Sequence, residues 1–425
     1  MAISLRSLAH SLSLLLGAGA LAACSDTTPN AGTGGVSAGG SGAAGMAPTG
    51  GAGATSIAGS ASGGEAGSSA AGSGVAGGAG GGGAGAGGSG GSGGSAGGGA
   101  DKIHDVSPDG DGKITIGPNY TKDPDLNDQG NEEGKSFQFN LPHEGTLFEG
   151  TDPTLSKPVT NENWGRSINV YVPAKYQDGD EAPILVIQEG QLPNVSRALD
   201  NLTISTDPMK KLPAFIAIAV GNGSQRDGSD GKGSERGFEY DTLSDRYTRF
   251  IDTQVLPAVL AHQPLKDAYP NIKFTSDPFG RGTMGCSSGG AAALTMGWFG
   301  GTFSRIITYS GTFVTQQNAG QEPESTLYPM GAWEYHSSKE LIMNSDKKPL
   351  RVFIHASEND NGATQPEDNG RNWVVANERT HEDLAAKGYH YRYVYSLETG
   401  HCDGKVFDAT VAQTLSWMWR GYPTE

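Results

Sequence analysis

The feature that most constrains the fold of this chain is a series of short apolar segments separated by helical patterns. Residues 184–187 and 215–220 are continuously apolar, as strands covered on both faces are. Residues 167–172 instead alternate apolar and polar side chains with a period of two, which indicates a half-buried strand. Because strands that alternate with helices form parallel sheets, the pattern predicts an α/β fold, with a mostly parallel sheet and helices on both faces.

The remaining regular elements extend this pattern toward the carboxyl terminus. Strand candidates occupy residues 282–284, 306–309, 350–354 and 391–395. Helix candidates occupy residues 247–261, 291–298, 372–387 and 411–419. In open parallel sheets the ligand sites lie at the carboxyl ends of the strands, so the residues that follow these strands are the first candidates for function.

Residues 101–142 are polar and rich in turn residues, and they include Asp105, Asp109 and Asp111. The segment from residue 109 to 112, with the sequence DGDG, resembles part of a calcium-binding loop. It lacks the complete twelve-residue ligand pattern and the glutamate at the last position of that pattern. We therefore expect a plain turn here.

The amino terminus has the pattern of a secretory signal. One cation, Arg6, precedes an apolar run rich in leucine, which ends in Leu21-Ala22-Ala23. This run is too short for a permanent membrane span. The sequence Leu-Ala-Ala-Cys resembles a bacterial lipobox, which implies a signal peptide over residues 1–23, cleavage before Cys24 and lipidation of its thiol. The alternative is an ordinary signal peptide with an incidental Cys24.

Residues 24–100 consist almost entirely of glycine, alanine and serine. Between Ala31 and Ala100 lie 32 of the 67 glycines and one charged residue, Glu65. Such a segment cannot bury enough apolar surface to offset its ordering entropy, so we expect a disordered tether. With a lipidated Cys24, the tether would hold a globular domain, residues 101–425, at the cell envelope, on the periplasmic or the outer surface.

The charge of the globular part limits its partners. Residues 101–425 contain 29 of the basic and 44 of the acidic residues, for a net charge of −15. A domain this acidic is a poor match for nucleic acid or for anionic lipid. We therefore expect no nucleic-acid partner, and contact with a membrane only through the lipid anchor.

The sequence Gly285-Cys286-Ser287-Ser288-Gly289 matches the G-x-S-x-G pattern of a nucleophile elbow. In such an elbow a sharp strand-to-helix turn presents the serine hydroxyl, and the flanking glycines allow close backbone approach. The same pattern surrounds Ser89 in the glycine-rich segment, but without a strand before it or a helix after it. Ser287 has both and is the candidate nucleophile. The alternative is a simple strand-to-helix turn.

A serine nucleophile needs a base and a carboxylate that orients this base, and in elbow enzymes the order is Ser, Asp or Glu, His. The histidines after Ser287 are His336, His355, His381, His390 and His401. His401 lies in a loop directly after a strand candidate, and we interpret the other four as packed or solvated side chains. For the carboxylate, Glu358 and Asp360 both follow the strand at 350–354, and either one also suits a local turn.

The oxyanion hole of an elbow enzyme uses the backbone N–H of the residue after the nucleophile, here Ser288, and a second N–H from an earlier loop. Residues 187–191 leave the first continuously apolar strand and provide such a loop. We assign the second donor to Gln191.

Cys286 and Cys402 adjoin the candidate nucleophile and the candidate base. Serine and base must approach to about 3 Å for proton transfer, so their neighbours are also close. Export to an oxidising compartment favours pairing of these two cysteines. We therefore predict a Cys286–Cys402 disulfide. The alternative is a buried thiol at Cys286 and an unrelated loop thiol at Cys402.

Almost the whole globular domain, about residues 109–423, resembles the bacterial putative esterase family, which is related to enterochelin esterase, esterase D and feruloyl or acetylxylan esterases. The matching stretches are residues 111–118 (DGKITIGP), 170–173 (VYVP), 188–190 (QEG), 236–242 (RGFEYDT), 277–282 (DPFGRG), 331–336 (GAWEYH), 357–362 (SENDNG), 387–393 (KGYHYRY) and 400–401 (GH). The resemblance implies an α/β-hydrolase fold, a triad of Ser287, Asp360 and His401, and no metal or cofactor. It favours Asp360 over Glu358 as the acid.

Two features depart from the family pattern. Glu189 stands beside the oxyanion loop where the family usually has an aspartate. Cysteines at both 286 and 402 are not typical of close relatives. The combination Cys-Ser, Asp and His-Cys is similar to the tannase and fungal feruloyl esterase family, in which a disulfide joins the neighbours of serine and histidine. This second similarity is local and does not imply membership.

The expected function is that of an exported serine carboxylic ester hydrolase, which acts through an acyl-enzyme on a small-molecule or carbohydrate-linked ester. Two alternatives are acyl transfer to an acceptor other than water, and a non-catalytic surface binding protein on this fold. Trp333, Tyr335 and Trp373 are candidates for a carbohydrate or aromatic acyl pocket, and each is equally suited to core packing. The sequence leaves open the acyl and alcohol parts of the substrate and the oligomeric state.

Overall fold

The structure is a computed structural model, and it describes residues 101–150, 159–160, 162–190, 194–225, 234–316 and 326–424. The expected signal peptide, the lipidated Cys24 and the tether lie outside these residues, and so does Gln191. Within the described part of the chain, no helix is both long enough and apolar enough to cross a membrane.

The described residues form one nine-stranded sheet and two small two-stranded sheets. The strands are β1 (Gly112–Ile116), β2 (Lys135–Asn140), β3 (Trp164–Gly165), β4 (Ser167–Val172), β5 (Glu181–Ala182), β6 (Ile184–Gln188), β7 (Ile216–Val220), β8 (Ser224–Gln225), β9 (Lys273–Phe274), β10 (Arg281–Cys286), β11 (Arg305–Tyr309), β12 (Arg351–Asn359) and β13 (His390–Gly400).

The large sheet has the strand order β1-β13-β12-β11-β10-β6-β7-β4-β2. All neighbouring pairs from β1 to β7 are parallel, whereas β4 is antiparallel to both β7 and β2. The prediction of a mostly parallel α/β sheet is therefore confirmed. The strands predicted from apolar runs all lie in the interior of this sheet, where both faces are covered.

Both edge strands lie in the polar, turn-rich segment of residues 101–142, where no strand was predicted. β1 pairs with β13 at one edge, and β2 pairs with β4 at the other. All of their residues are at least partly exposed, because an edge strand has one neighbour and needs few apolar side chains. A hydrophobic pattern therefore signals such strands weakly.

The turn expected near residue 109 is present, and the N–H of Asp111 donates to the carbonyl of Pro108 (2.8 Å). The Asp111 carboxylate accepts from Nε1 of Trp417 (3.1 Å) and lies 2.7 Å from Nδ1 of His390. This side chain therefore ties the start of β1 to the carboxyl-terminal part of the domain.

Helices cover both faces of the sheet. The α-helices of the described residues are α1 (Val195–Leu202), α2 (Arg236–Tyr240), α3 (Arg246–Phe250), α4 (Leu256–Ala261), α5 (Gln263–Ala268), α6 (Ser288–Thr295), α7 (Leu341–Asn344), α8 (Trp373–Ala386) and α9 (Gly404–Met418). Two π-helical segments, Ile251–Val255 and Met296–Gly300, continue α3 and α6. The short 3-10 helices of the described residues are Asp101–Ile103, Pro124–Leu126, Pro278–Gly280 and Ala332–Tyr335.

Successive residues of the buried strands face two separate hydrophobic cores. In β6, Ile184 and Val186 belong to one core, and Leu185 and Ile187 belong to the other. The first core packs against α2 to α8, and the second packs against α1 and α9. Fully burying one such side chain stabilises the fold by roughly 1.5–3 kcal/mol, so the alternation holds the sheet in its register.

The carboxyl ends of neighbouring strands bring the candidate residues to one edge of the sheet. Ser287 follows β10, Asp360 follows β12 and His401 follows β13. A register irregularity near the end of β12 pairs Asn359 with Gly400. Asp360 directly follows Asn359 and His401 directly follows Gly400, so the side chains of Asp360 and His401 start from adjacent backbone positions.

Candidate active site

Ser287 occupies the sharp turn between β10 and α6. Its backbone has φ 56° and ψ −130°, which for a residue other than glycine costs of order 1–3 kcal/mol. Gly285 and Gly289 allow the turn, because a Cβ on Gly285 would lie 2.2 Å from the carbonyl oxygen of Gly289. Strain of this kind persists only where the surrounding structure holds it, and it is common at active sites.

Asp360 orients the side chain of His401. Nδ1 of His401 lies 2.5 Å from Oδ1 of Asp360, and because a carboxylate only accepts, Nδ1 carries the proton and Nε2 bears the lone pair of the neutral ring. The carboxylate also accepts from the N–H groups of Ser357 and Asn361. Burial raises the pKa of Asp360, but the hydrogen bond and charge of His401, with hydrogen bonds from Ser310 and Asn361, outweigh burial and hold this pKa below its usual value.

Ser287 and His401 are not hydrogen-bonded to each other. Oγ of Ser287 lies 3.3 Å from Oγ1 of Thr312. Nε2 of His401 is buried and has no hydrogen-bond partner among the described residues. The lone pair that a serine would use is therefore free, and the serine hydroxyl is turned to a different neighbour.

A disulfide joins Cys286 to Cys402, with a Cα–Cα distance of 6.1 Å. These residues directly precede Ser287 and directly follow His401, so the bond links the elbow to the loop that carries the histidine. The N–H of Cys402 donates to Oγ of Ser310 (3.3 Å). The loops after β10, β11 and β13 are thus fastened to one another.

Thr312 and Trp373 were not assigned a catalytic position from the sequence. Nε1 of Trp373 donates to Oγ1 of Thr312 (3.2 Å), and the Trp373 ring lies edge-on to the ring of His401 at 6.0 Å. Thr312 follows β11 by three residues. The rule that sites lie at carboxyl strand ends could have marked it, but no motif distinguishes it from other loop hydroxyls.

Ser288 is the first residue of α6, so its N–H has no acceptor within the helix. The positive end of the helix dipole lies at the same place, which suits a developing oxyanion. Gln191, the predicted second donor, lies outside the described residues. The loop that leads to it starts in a defined position, because Nδ2 of Asn169 donates to the carbonyl of Gly190 (2.9 Å).

Charged and polar side chains surround Ser288. Arg236 donates through Nε to the Glu189 carboxylate (2.7 Å) and through Nη1 to Oγ of Ser288 (3.1 Å). Nε2 of Gln316 lies 3.3 Å from the same Oγ and 2.9 Å from Oδ2 of Asp241. Glu189 itself has a positive φ of 76°. The residue that departs from the family pattern is thus part of an ion pair that borders the elbow.

The three pocket candidates have different surroundings. Tyr335 is completely buried in the first core, and its hydroxyl lies 3.0 Å from Oγ1 of Thr295. Trp333 is buried beside His336, with 4.7 Å between the ring centroids. Trp373, also buried, is the one that contacts the candidate base.

The other titratable candidates have partners of their own. Glu358 accepts from the N–H of Glu398 (2.7 Å). Three of the other histidines form hydrogen bonds: Nε2 of His336 with the carbonyl of Phe313, Nε2 of His355 with Oγ of Ser396, and Nδ1 of His390 with the Asp111 carboxylate. The ring of His381 stacks against the rings of Tyr391 and Tyr393. Burial lowers the pKa of His336 and of His355 to about 4.

Within the described residues, one group of side chains is close enough together to hold a metal ion: Glu378, His381 and Glu382 on α8. Glu378 is already paired with the ammonium of Lys113. That cation opposes binding of a second cation at the same carboxylate. None of these residues belongs to the candidate triad.

The sheet order, the covering helices and the elbow are those of an α/β-hydrolase, which confirms the predicted fold. More specifically, the chain belongs to the esterase family described as "Putative esterase", whose profile matches residues 160–418. The matched range includes Ser287, Asp360 and His401. The resemblance found in the sequence is therefore confirmed, and membership makes the chain a carboxylic ester hydrolase.

Several solved structures are similar to the chain at low sequence identity. A ferulic acid esterase is 14% identical, with 68% of this chain and 100% of that chain covered and a TM-score of 0.46. Ferric enterobactin esterase from Salmonella typhimurium is 15% identical, with 67% and 58% covered and a TM-score of 0.43. A ferulic acid esterase from Anaeromyces mucronatus is 10% identical, with 70% and 95% covered and a TM-score of 0.43. No curated protein matches the chain.

Proposed function

We propose that this chain is an exported serine esterase in which Ser287 is the nucleophile, His401 the general base and acid, and Asp360 the carboxylate that orients His401. The observation that carries the proposal is the Asp360–His401 hydrogen bond of 2.5 Å beside the strained elbow. The Cys286–Cys402 bond supports it further, since it keeps the neighbours of nucleophile and base together.

In the acylation step, the hydroxyl of Ser287 turns its proton from Thr312 toward the free Nε2 of His401. The serine proton passes to Nε2 while Oγ forms a bond to the ester carbonyl carbon, and the carbonyl electron pair moves onto its oxygen. The N–H of Ser288, with a second donor that we assign to Gln191, stabilises the resulting oxyanion. Asp360 stabilises the imidazolium that forms.

When the tetrahedral intermediate collapses, its C–O bond to the alcohol breaks, and the leaving oxygen takes the proton from Nε2 of His401. The acyl group remains on Oγ of Ser287. A water molecule then gives a proton to Nε2 and attacks the acyl carbon. Expulsion of Ser287 Oγ, with return of the proton, releases the acid. Every proton transfer uses the one nitrogen whose lone pair Asp360 directs, and the mechanism needs no metal or cofactor.

Replacement of Ser287 tests this proposal. Ser287→Ala should lower kcat for p-nitrophenyl acetate by at least about 10⁴-fold, because the nucleophile is lost. Ser89→Ala is the matched control, since the sequence around Ser89 has the same pattern of flanking glycines but no strand or helix pattern beside it. The kcat of this variant should equal that of the wild type. A fluorophosphonate should add its mass to the wild type and to Ser89→Ala only. A wild-type kcat in Ser287→Ala would rule out the serine mechanism.

The substrate class is proposed as a small-molecule or carbohydrate-linked ester. Short p-nitrophenyl esters, feruloyl esters, acetylated sugars and siderophore esters should be compared by kcat/KM. Adding an alcohol acceptor to the assay distinguishes hydrolysis from acyl transfer. Free acid as the main product at high acceptor concentration would support the hydrolase, whereas a predominant transfer product would favour the acyltransferase.

The proposed location is the cell envelope, with the chain anchored through a lipid on Cys24. Metabolic labelling with a fatty-acid analogue tests this part of the proposal. The wild type should be labelled and should partition into detergent, and Cys24→Ala should lose both properties. Labelling of Cys24→Ala at the wild-type level would reject the anchor.

A further inference from the structure

The hydroxyl of Thr312 is placed directly against the candidate nucleophile. Its Oγ1 lies 3.3 Å from Oγ of Ser287, and its N–H donates to the Ser287 carbonyl (3.0 Å). Thr312 is 1% exposed, so no solvent competes for this hydroxyl. Both the backbone and the side chain of Thr312 therefore bind the same residue.

The tryptophan next to it fixes which way the Thr312 hydroxyl can donate. Indole N–H is a donor only, so the 3.2 Å contact uses one acceptor position on Oγ1 of Thr312. Thr312 retains its own proton, and among the described residues the hydrogen-bond acceptor within reach of that proton is Oγ of Ser287. Once Ser287 turns its proton toward His401, the Thr312 proton is the donor that remains for Oγ.

Helix α8 holds this arrangement from the other side. The N–H of Trp373 donates to the carbonyl of Asn361 (3.0 Å), next to the candidate acid. Nδ2 of Asn377 donates to the carbonyl of Gly311 (2.9 Å), directly before Thr312. The Trp373 ring also lies against the ring of His401. One helix therefore sets the positions of Thr312 and of the histidine relative to the nucleophile.

We propose that Thr312 is a further catalytic residue, which donates a hydrogen bond to Oγ of Ser287 during acyl transfer, and that Trp373 is the positioning residue for the Thr312 hydroxyl. This inference rests on the proposed serine mechanism. As the Ser287 O–H bond breaks and its proton moves to Nε2 of His401, negative charge grows on Oγ until the C–O bond forms. The Thr312 proton stays on Thr312 throughout and stabilises that charge.

The same hydrogen bond acts when the acyl-enzyme breaks down. Oγ then leaves the acyl carbon with the electron pair of the C–O bond and takes the proton back from His401. Charge again develops on Oγ before the proton arrives. Because charge-assisted hydrogen bonds are roughly twice as strong as neutral ones, the Thr312 bond is stronger in these transition states than in the resting enzyme.

Two substitutions of Thr312 separate hydrogen bonding from packing. Thr312→Val keeps the shape and removes the hydroxyl, and Thr312→Ser keeps the hydroxyl and removes a methyl group. The full chain should lose about 10- to 100-fold in kcat for p-nitrophenyl acetate with Thr312→Val, with KM little changed, and less than about 3-fold with Thr312→Ser. The rate of fluorophosphonate labelling of Ser287 should fall in parallel with kcat.

If Thr312 acted only through packing, Thr312→Ser would lose more kcat than Thr312→Val. A wild-type kcat in Thr312→Val would therefore overturn the inference, and so would equal losses of kcat in the two variants. If Thr312→Val does not fold, Trp373→Phe provides the test, because it leaves the Thr312 hydroxyl without its donor. We expect a kcat loss of about 3- to 10-fold, and an unchanged kcat would overturn the proposal.

The outcome for Ser287→Ala separates this inference from the proposed function. If Ser287→Ala hydrolyses the ester at the wild-type rate, the serine mechanism fails. If Ser287→Ala is inactive and Thr312→Val is fully active, the serine mechanism stands and only the role of Thr312 is rejected.

Discussion

The two ends of strands β10 to β13 carry opposite kinds of structure. At the carboxyl ends, Ser287, Ser310 and Cys402 all have positive φ angles, and the Nε2 atom of His401 lacks a hydrogen-bond partner among the described residues. At the amino ends, Arg305 and Arg351 start regular strands and are completely buried. The carboxyl ends of these strands therefore tolerate backbone strain and an unpaired imidazole nitrogen. The amino ends are instead held by packing and hydrogen bonds.

Arg305 illustrates the amino ends. Its Nε donates to the carbonyl of Phe279 (2.8 Å), and its Nη1 donates to the carbonyl of Met418 at the end of α9. Its guanidinium stacks on the rings of Phe279 and Trp419. Burial lowers the pKa of Arg305 to about 9. A cation at a helix carboxyl terminus interacts favourably with the helix dipole, which offsets part of this burial cost.

The largest expected effect concerns the carboxyl ends. Asp360→Asn should lower kcat by about 10⁴-fold, because an amide favours the wrong tautomer of His401 and cannot stabilise the imidazolium. The matched control is Glu358→Gln, since Glu358 binds the backbone at Glu398 and not His401. Its kcat should stay near the wild-type value. Ester hydrolysis with each variant is the measurement, and equal losses in both would contradict the assignment of Asp360.

The disulfide fastens two of the strained loops to each other. The double substitution Cys286→Ala with Cys402→Ala should lower the free energy of unfolding by about 2–5 kcal/mol, because the bond closes a loop across 116 residues. It should also lower kcat, since the loop of His401 is no longer tied to the elbow. Urea denaturation and ester hydrolysis measure the two effects. Unchanged stability would show that the remaining contacts of these loops are sufficient.

Substitution at the amino ends of the strands should lower stability and leave kcat unchanged. Arg305→Met should reduce the free energy of unfolding by about 2–3 kcal/mol, because buried carbonyl groups lose their donors. The kcat of the folded fraction should not change. Arg249→Met is the control: its exposed pair with Asp245 contributes at most about 1 kcal/mol. A large fall in kcat with Arg305→Met would mean that the two strand ends are coupled.

The smallest expected effect of a single substitution concerns the dependence of stability on pH. His336 and His355 have a folded-state pKa of about 4, below the unfolded value near 6.5. Above pH 6.5 both are neutral in either state. As the pH falls toward 4, the unfolded chain binds protons that the folded chain does not, so each histidine reduces stability by about 2 kcal/mol at pH 5.

Urea denaturation at pH 7.5 and at pH 5 measures this effect. His336→Gln and His355→Gln should each lose less stability than the wild type between these two pH values. Identical losses in the wild type and in the variants would show that other groups, such as carboxylates, cause the whole pH dependence.

Much of the fold was predictable because its signals are local. The interior strands are continuously apolar, so the sheet class followed from residues such as 184–187 and 215–220. β1 and β2 were missed because an edge strand needs little apolar sequence. The elbow at Ser287 was likewise local, since it needs a strand, a small-residue turn and a helix in one short stretch of chain.

The remainder of the candidate site depends on contacts across the sequence. The choice of Asp360 over Glu358 leaned on the family resemblance, and the structure places Asp360 against His401 through the pairing of Asn359 with Gly400. Thr312 had no signal of its own, because a hydroxyl in a loop acquires a role only from what packs against it. Gln191 and Cys24 lie outside the described residues, and their roles remain predictions.

The sequence by itself determined the sheet class, the family and the position of the elbow, because backbone propensity and hydrophobic period are properties of neighbouring residues. The tertiary structure alone decided which groups meet at the elbow. The His401 loop lies beside Asp360 because β12 and β13 are adjacent, and Thr312 reaches Ser287 because β10 and β11 are adjacent. Strand order arises from packing across the whole domain, and no short stretch of sequence contains it.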